Sequence, residues 1–186
     1  MTTITPDEMK SLETLFMSET GTPSILLMEH AAQGVAAAIA RHAPKSARVL
    51  FLCGPGNNGG DGYAAARLWC SGGGQADVWE VTSAVRGDAL TNRTLALLHG
   101  VRVLPSADAV DVAEYAAVVD ALYGTGLNHA IEGDAAILIH RLSDHPQIPV
   151  IAVDIPSGLD GTTGRALGAD VVRACLLYTS PSPRDR

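Results

Sequence analysis

Arg48-Val-Leu-Phe-Leu-Cys53 is a run of apolar residues too short for a helix and without polar alternation. Such a run is the mark of a strand covered on both faces, which obliges the chain to build layers on each side of it. The pattern then repeats as strand, loop, helix. The spacing predicts a helix from about Gly62 to Cys70, a strand over Gln75–Val81, a helix over Asp88–His99 and a strand over Val101–Leu104. A fourth strand, Tyr115-Ala-Ala-Val-Val-Asp120, leads to a helix from about Asp134 to Ser143 and a fifth strand over Ile148–Asp154. Alternation of this kind implies parallel strands joined by right-handed crossovers. The expected fold is α/β: a three-layer α/β/α sandwich with a Rossmann-like, mostly parallel sheet.

Two helices precede the first strand. Met9, Leu12, Leu15 and Phe16 recur at three- and four-residue spacing over Asp7 to about Ser18, giving one apolar face. Ser24 offers an N-cap for a second helix, Ile25 to Arg41, whose stripe is Ile25, Met28, Ala32, Val35 and Ile39. Glu29 and His30 lie beside that stripe, and His30 reads as solvated. No internal repeat or interior linker divides the chain.

In open parallel sheets ligands bind at the carboxyl ends of the strands. Three strands here end in polar, glycine-punctuated sequence: Gly54-Pro-Gly-Asn-Asn-Gly-Gly-Asp61, Asp120-Ala-Leu-Tyr-Gly-Thr-Gly126 and Asp154-Ile-Pro-Ser-Gly-Leu-Asp160. All three are expected to face one crevice. Gly54–Gly59 satisfies GxGxxG, the fingerprint that seats a pyrophosphate on a helix N-terminus. Against a redox dinucleotide site stand Asp61, a carboxylate where the pyrophosphate would sit, and the lack of any ribose-binding acid but Glu80. A P-loop is excluded because Gly60-Asp61 replace its Lys-Ser/Thr. The plainer alternative is a tight turn with Asp61 near a helix dipole.

Asp120 and Asp154 each end an apolar strand, where a carboxylate is costly unless paired, hydrogen-bonded or bound to a cation. No Lys or Arg in the three loops can neutralise them, and the alternative is that each caps a turn. Asn57, Asn58 and Ser157 supply only neutral oxygens, a set that suits a weakly charged hard cation better than Zn²⁺. Gly124-Thr-Gly-Leu-Asn-His-Ala130 is a second loop able to cradle phosphate through backbone N–H groups, with His129 as a candidate acid–base group or a solvated side chain. Ser157 lies outside any GxSxG and is not a hydrolase nucleophile.

Composition narrows the class of partner. Thirteen basic and twenty acidic residues in 186 give a net charge of −7, which disfavours nucleic acid and anionic membranes. No apolar run approaches a membrane span, and Met1–Glu8 lacks the features of a signal peptide. Cys53, Cys70 and Cys175 form no metal pattern. A cytoplasmic location is expected.

The three loop segments Gly54–Gly62, Val119–Leu127 and Ile151–Leu159 together resemble the NAD(P)H-hydrate epimerases, the YjeF N-terminal domain family. Leu27-Met-Glu-His-Ala31 is similar to that family's LMExAG helix, with Ala32 in place of the glycine. The resemblance covers about residues 5–172. It implies an isomerase that interconverts the R and S forms of C6-hydrated NADH or NADPH, with the dinucleotide as substrate. The implied substrate pocket is Asn57, Asn58, Gly59, Gly60, Asp61, Gly124, Thr125, Gly126, Leu127, Asn128, His129, Ala130 and Asp154. Asp154 is the implied catalytic acid–base group, and Asn58, Asp120 and Ser157 the implied site of one K⁺ per subunit. The resemblance also implies a homodimer and a fused or separate hydrate dehydratase as partner.

Two features depart from the family. Asn128 stands where relatives often carry a basic residue. The family usually continues with a further strand after a segment like Gly168–Val172, whereas Cys175–Arg186 resembles translated cloning sequence and its Pro181 and Pro183 bar a regular helix. The expectation is therefore an incomplete domain over 1–174 and a non-native tail over 175–186. The competing functions are a non-catalytic binding or scaffold module of the same fold, and a nicotinamide-dependent oxidoreductase.

Overall fold

The computed structural model describes residues 5–178. Helix α1 (Pro6–Thr20) begins at a capping box: the Thr5 N–H donates to the Glu8 carboxylate at 2.7 Å and the Glu8 N–H to Thr5 Oγ1 at 3.3 Å. It contributes no buried residue. Met9, Leu12 and Phe16 are half-buried and Leu15 is exposed, so the apolar face read in the sequence lies along the margin of the fold. Helix α2 (Ser24–His42) buries Met28, Ala32, Val35 and Ile39, while His30 is exposed as expected. Ser24 is the first helical residue rather than the cap. Its hydroxyl bonds the Asp88 carboxylate, and Pro23 holds the N-cap position without a side-chain bond.

The strands and helices that follow are β1 (Arg48–Cys53), α3 (Asn57–Ser71), β2 (Gln75–Glu80), α4 (Gly87–Leu98) and β3 (Arg102–Val103), then β4 (Ala117–Ala121), α5 (Gly133–Ser143), β5 (Val150–Val153) and β6 (Leu176–Tyr178). The sheet has six strands in the order β3-β2-β1-β4-β5-β6, every neighbouring pair parallel. The order reverses between β1 and β4, which puts the ligand crevice of such a sheet beside those strand ends. The Cys175 N–H donates to the Val150 carbonyl at 2.8 Å, and Ile151 pairs with Leu176. Part of the segment expected to be a tail thus forms the edge strand, and residues 179–186 lie outside the described residues.

Side chains alternate across β1 as the pleat requires. Val49, Phe51 and Cys53 join the core under α2, α3 and α4, and Leu50 and Leu52 join the one under α5. Among the described residues no helix is long and apolar enough to cross a membrane.

One polar plug interrupts the α5-side core. Asp77, 3% exposed, accepts from Arg102 Nε and Nη2 at 2.8 and 2.7 Å and from the Tyr115 hydroxyl at 2.8 Å, with Arg48 Nε at 2.9 Å. Burial pushes its pKa up, but the bonds from Arg102 and Tyr115 outweigh burial and leave the carboxyl below its usual value. Asp77→Ala strands the buried Tyr115 hydroxyl. It is expected to cost about 1–3 kcal/mol by urea denaturation, the arginines being half in solvent.

Candidate functional site

The site is built where three chain segments leave β1, β4 and β5 at the same edge of the sheet. After β1, helix α3 starts at Asn57, not at Gly62 as the sequence pattern predicts. Asn57 through Asp61 are therefore its first turns and not a loop. Asn and Gly are poor helix formers, so local propensity conceals a helix that tertiary packing dictates. A Cβ on Gly54 would sit 1.6 Å from the Leu122 carbonyl oxygen, and one on Gly59 would sit 2.0 Å from the Gly54 carbonyl oxygen. The glycines of GxGxxG thus let three backbones touch. Gly56 holds the N-cap position and supplies no side-chain cap, so the first N–H groups of α3 are left for a ligand or solvent.

Asp120 is fully buried near the end of β4. Its Oδ2 accepts from the Ser157 N–H at 2.8 Å, and its Oδ1 from the Ser157 hydroxyl at 2.6 Å and the Leu122 N–H at 3.3 Å. Ser157, itself fully buried, accepts from the Tyr123 N–H at 2.9 Å. This knot ties the loops after β4 and β5 together. Burial pushes the Asp120 carboxyl up to about 6 against the opposing hydrogen bonds from Ser157. Both polar atoms of the Asn58 side chain, on the first turn of α3, are buried without a hydrogen-bond partner. A carboxylate held only by neutral donors, a hydroxyl and an unsatisfied amide fit a weakly charged hard cation by donor chemistry.

Asp154, directly after β5, has φ +68° and is the single non-glycine residue with positive φ among the described residues. Such a conformation costs about 1–3 kcal/mol and concentrates at functional sites. It is held by the Thr125 N–H, which donates to Asp154 Oδ2 at 2.7 Å. A Cβ on Gly124 would lie 2.4 Å from that same oxygen, so the glycine permits the carboxylate to lie on the second loop.

Among the described residues Asp61 has no hydrogen-bond or ion-pair partner. Burial, then the charges of Asp154 and Glu13, push its pKa up to about 8. Glu13 of α1 is raised in turn by burial and by Asp154. Acids from α1, α3 and the β5 loop thus act on one another's charge.

Not every residue expected in the pocket has that surrounding. Leu127 is buried in the α5-side core, its N–H donating to the Gly124 carbonyl at 3.1 Å. Asn57, Gly126, Asn128 and His129 are exposed. His129 Nδ1 lies 2.8 Å from the Ala130 carbonyl oxygen, and its ring meets Tyr123 edge-on at 6.4 Å. Gly59 and Gly60 are buried, and Gly124, Thr125 and Ala130 are partly buried. Tyr123 and Glu13 were not picked out from the sequence. Tyr123 stands inside a motif already noted, whereas nothing local in α1 marks Glu13. Tyr123 also borders an open trough of about 580 Å³ that includes Trp79, Ser106, Glu132 and Asp134 and none of the three crevice aspartates. Glu80, the candidate ribose acid of a redox dinucleotide site, is committed to Arg93 at 2.7 and 2.8 Å and to the Tyr63 hydroxyl at 2.7 Å.

The sequence model of the family described as "YjeF-related protein N-terminus" matches residues 24–181. The bifunctional NAD(P)H-hydrate repair enzyme Nnr of Thermanaerovibrio acidaminovorans is 38% identical over 170 residues, covering 88% of this chain and 33% of that protein. The NAD(P)H-hydrate epimerase of Limosilactobacillus fermentum is 30% identical over 176 residues, covering 95% of this chain and 84% of its own length. That of Weissella koreensis is 32% identical over 181 residues, covering 97% and 81%. The chain spans a third of the bifunctional relatives it matches, 33% in each of two. The crystal structure of yeast ynu0 superposes with a TM-score of 0.83 at 23% identity, covering 95% of this chain and 79% of that one, a likeness of fold.

The backbone contact at the head of α3 is open to a direct check. Gly54→Ala drives a methyl into the Leu122 carbonyl, and neither backbone can yield without moving a strand end. A loss of about 3 kcal/mol or more is expected in urea denaturation.

Proposed function

The chain belongs to the YjeF-related N-terminal family, and from that premise we propose that it interconverts the R and S forms of C6-hydrated NADH and NADPH. The observation that carries the reading is Asp154. Its carboxylate is held in a left-handed backbone conformation by Thr125, at the strand ends where a dinucleotide lies in such a sheet. Further support comes from α3, whose side-chain-free N-cap leaves N–H donors facing the phosphates of a dinucleotide. The commitment of Glu80 to Arg93 and Tyr63 removes the ribose contact that an oxidoreductase of this type would use.

In this reading Asn57–Asp61 and Gly124–Ala130 embrace the substrate and Asp154 faces its hydrated ring. The N1 lone pair expels the C6 hydroxyl, leaving an iminium ion to which water returns from either side. The Asp154 carboxylate steadies that cation and exchanges protons with the C6 oxygen. Asn58, Asp120 and Ser157 would hold K⁺, which supplies a fixed positive charge beside the buried Asp120 carboxylate. With that charge matched, the Asp120–Ser157 knot keeps the loops after β4 and β5 in register. We further propose that the protein is cytoplasmic and homodimeric, and that a hydrate dehydratase, fused or separate, shares its substrate.

The test is to give the folded chain the purified S hydrate and follow R/S interconversion by chromatography, with the spontaneous rate subtracted. Acceleration in K⁺ that fades when K⁺ is replaced by Li⁺ is expected. Asp154→Asn should lower turnover ~10²–10⁴-fold while substrate still binds. A folded chain that leaves the R/S ratio at its spontaneous course overturns the proposal.

A further inference from the structure

An epimerase that works by loss and return of water must serve an oxygen on both faces of one ring. A single short carboxylate anchored to one loop reaches one face. Asp154 is so anchored, by the Thr125 N–H at 2.7 Å and by the close approach of Gly124. A second carboxyl stands on another element at the same edge of the sheet, on the helix that leaves β1 beside β4. Asp61 projects from the early turns of α3, is partly buried, and has no hydrogen-bond or ion-pair partner among the described residues.

Building on the epimerase reading, we infer that Asp61 and Asp154 form a two-carboxyl pair, each exchanging protons with the C6 oxygen on one face of the substrate ring. When Asp61 begins protonated, its proton passes to the hydroxyl oxygen as the C6–O bond breaks. Water departs, and the N1 lone pair becomes the N1=C6 bond. A water on the opposite face attacks C6, the N1=C6 pair returns to N1, and the proton released by that water passes to the Asp154 carboxylate. Solvent returns a proton from Asp154 to Asp61. The reverse direction begins with the proton on Asp154.

The electrostatics favour a proton on Asp61. Burial, then the negative charges of Asp154 and Glu13, raise the Asp61 pKa to about 8, because neighbouring like charges resist ionising together. Arg67 of α3 pairs with Glu29 of α2, and Asp88 of α4 bonds Ser24. Glu13 of α1 adds a further negative charge that raises the Asp61 pKa, after burial and Asp154.

The experiment follows two readouts in H₂¹⁸O, epimerisation and ¹⁸O entry at C6 of each separate epimer, in wild type, Asp61→Asn and Asp154→Asn. Each variant is expected to lose epimerisation in both directions by ~10²–10⁴. Asp61→Asn should still exchange oxygen into one epimer and Asp154→Asn into the other. A fold check accompanies this. The carboxyl of Asp61 has a raised pKa in the folded state, so stability is lost as pH rises from about 4 towards 8. Asp61→Asn should melt at or above the wild-type temperature at pH 8 and show a flatter dependence on pH. Glu13→Gln should move the alkaline fall in wild-type turnover to lower pH. Wild-type epimerisation by Asp61→Asn overturns the inference. So does an Asp61→Asn protein that is folded but exchanges neither epimer, since Asp61 then shapes the site without serving one face. A wild-type chain that neither epimerises nor exchanges overturns the epimerase reading itself, and the pair with it.

Discussion

The contact between the Gly54 backbone and the Leu122 carbonyl is the constraint on which the site depends. No side chain fits between them, so the turn after β1 can lie directly against the chain leaving β4. That closeness lets α3 begin at Asn57 and brings Asn58 and Asp61 to the strand ends. The ends of β1, β4 and β5 share an edge because the sheet is parallel and its order runs β1-β4-β5. A crevice at the reversal between β1 and β4 is thus a product of topology. What fills it is set by which residues the strand ends release.

The layered fold follows from features that are local in sequence. Strand β1 is legible because both of its faces are apolar, and the helices because their stripes repeat. What was hidden is what packing alone decides. The first turns of α3 look like a loop because Asn and Gly avoid helices, and the glycines are there for backbone contact. Ser24 reads as a cap but is drawn to Asp88, sixty-four residues away. Strand β6 follows a stretch with no regular element, and pairing with β5 is what defines it.

The site was legible in a similar way and to a similar limit. Asp120 and Asp154 stand out because each is a carboxylate at the end of an apolar strand. Ser157 is buried against Asp120 and donates to its carboxylate. Leu127 fell within a polar loop yet belongs to the core, because a loop crossing a sheet edge must still cover apolar surface beneath it. Glu13 could not be found from α1, since its importance is the charge of a helix that buries none of its residues.

Two partly comparable acids in this fold show how structure and function separate. Asp77 is as costly to bury as any carboxylate, but the chain answers it with Arg102, Tyr115 and Arg48, and its pKa falls. Asp61 is answered by nothing from the chain. Its charged neighbours are Asp154 and Glu13, and its pKa rises. A fold that needed Asp61 only for stability would gain by an amide there, because unpaired acids crowded together oppose folding at neutral pH. The missing compensation has to arrive with the ligand. A cationic centre forming between two carboxyls is the kind of charge that reverses this balance, and it exists only while the hydroxyl is leaving or the water returning. In the proposed reaction the penalty carried by Asp61 would be relieved most at the transition state, where relief accelerates the reaction instead of merely tightening binding.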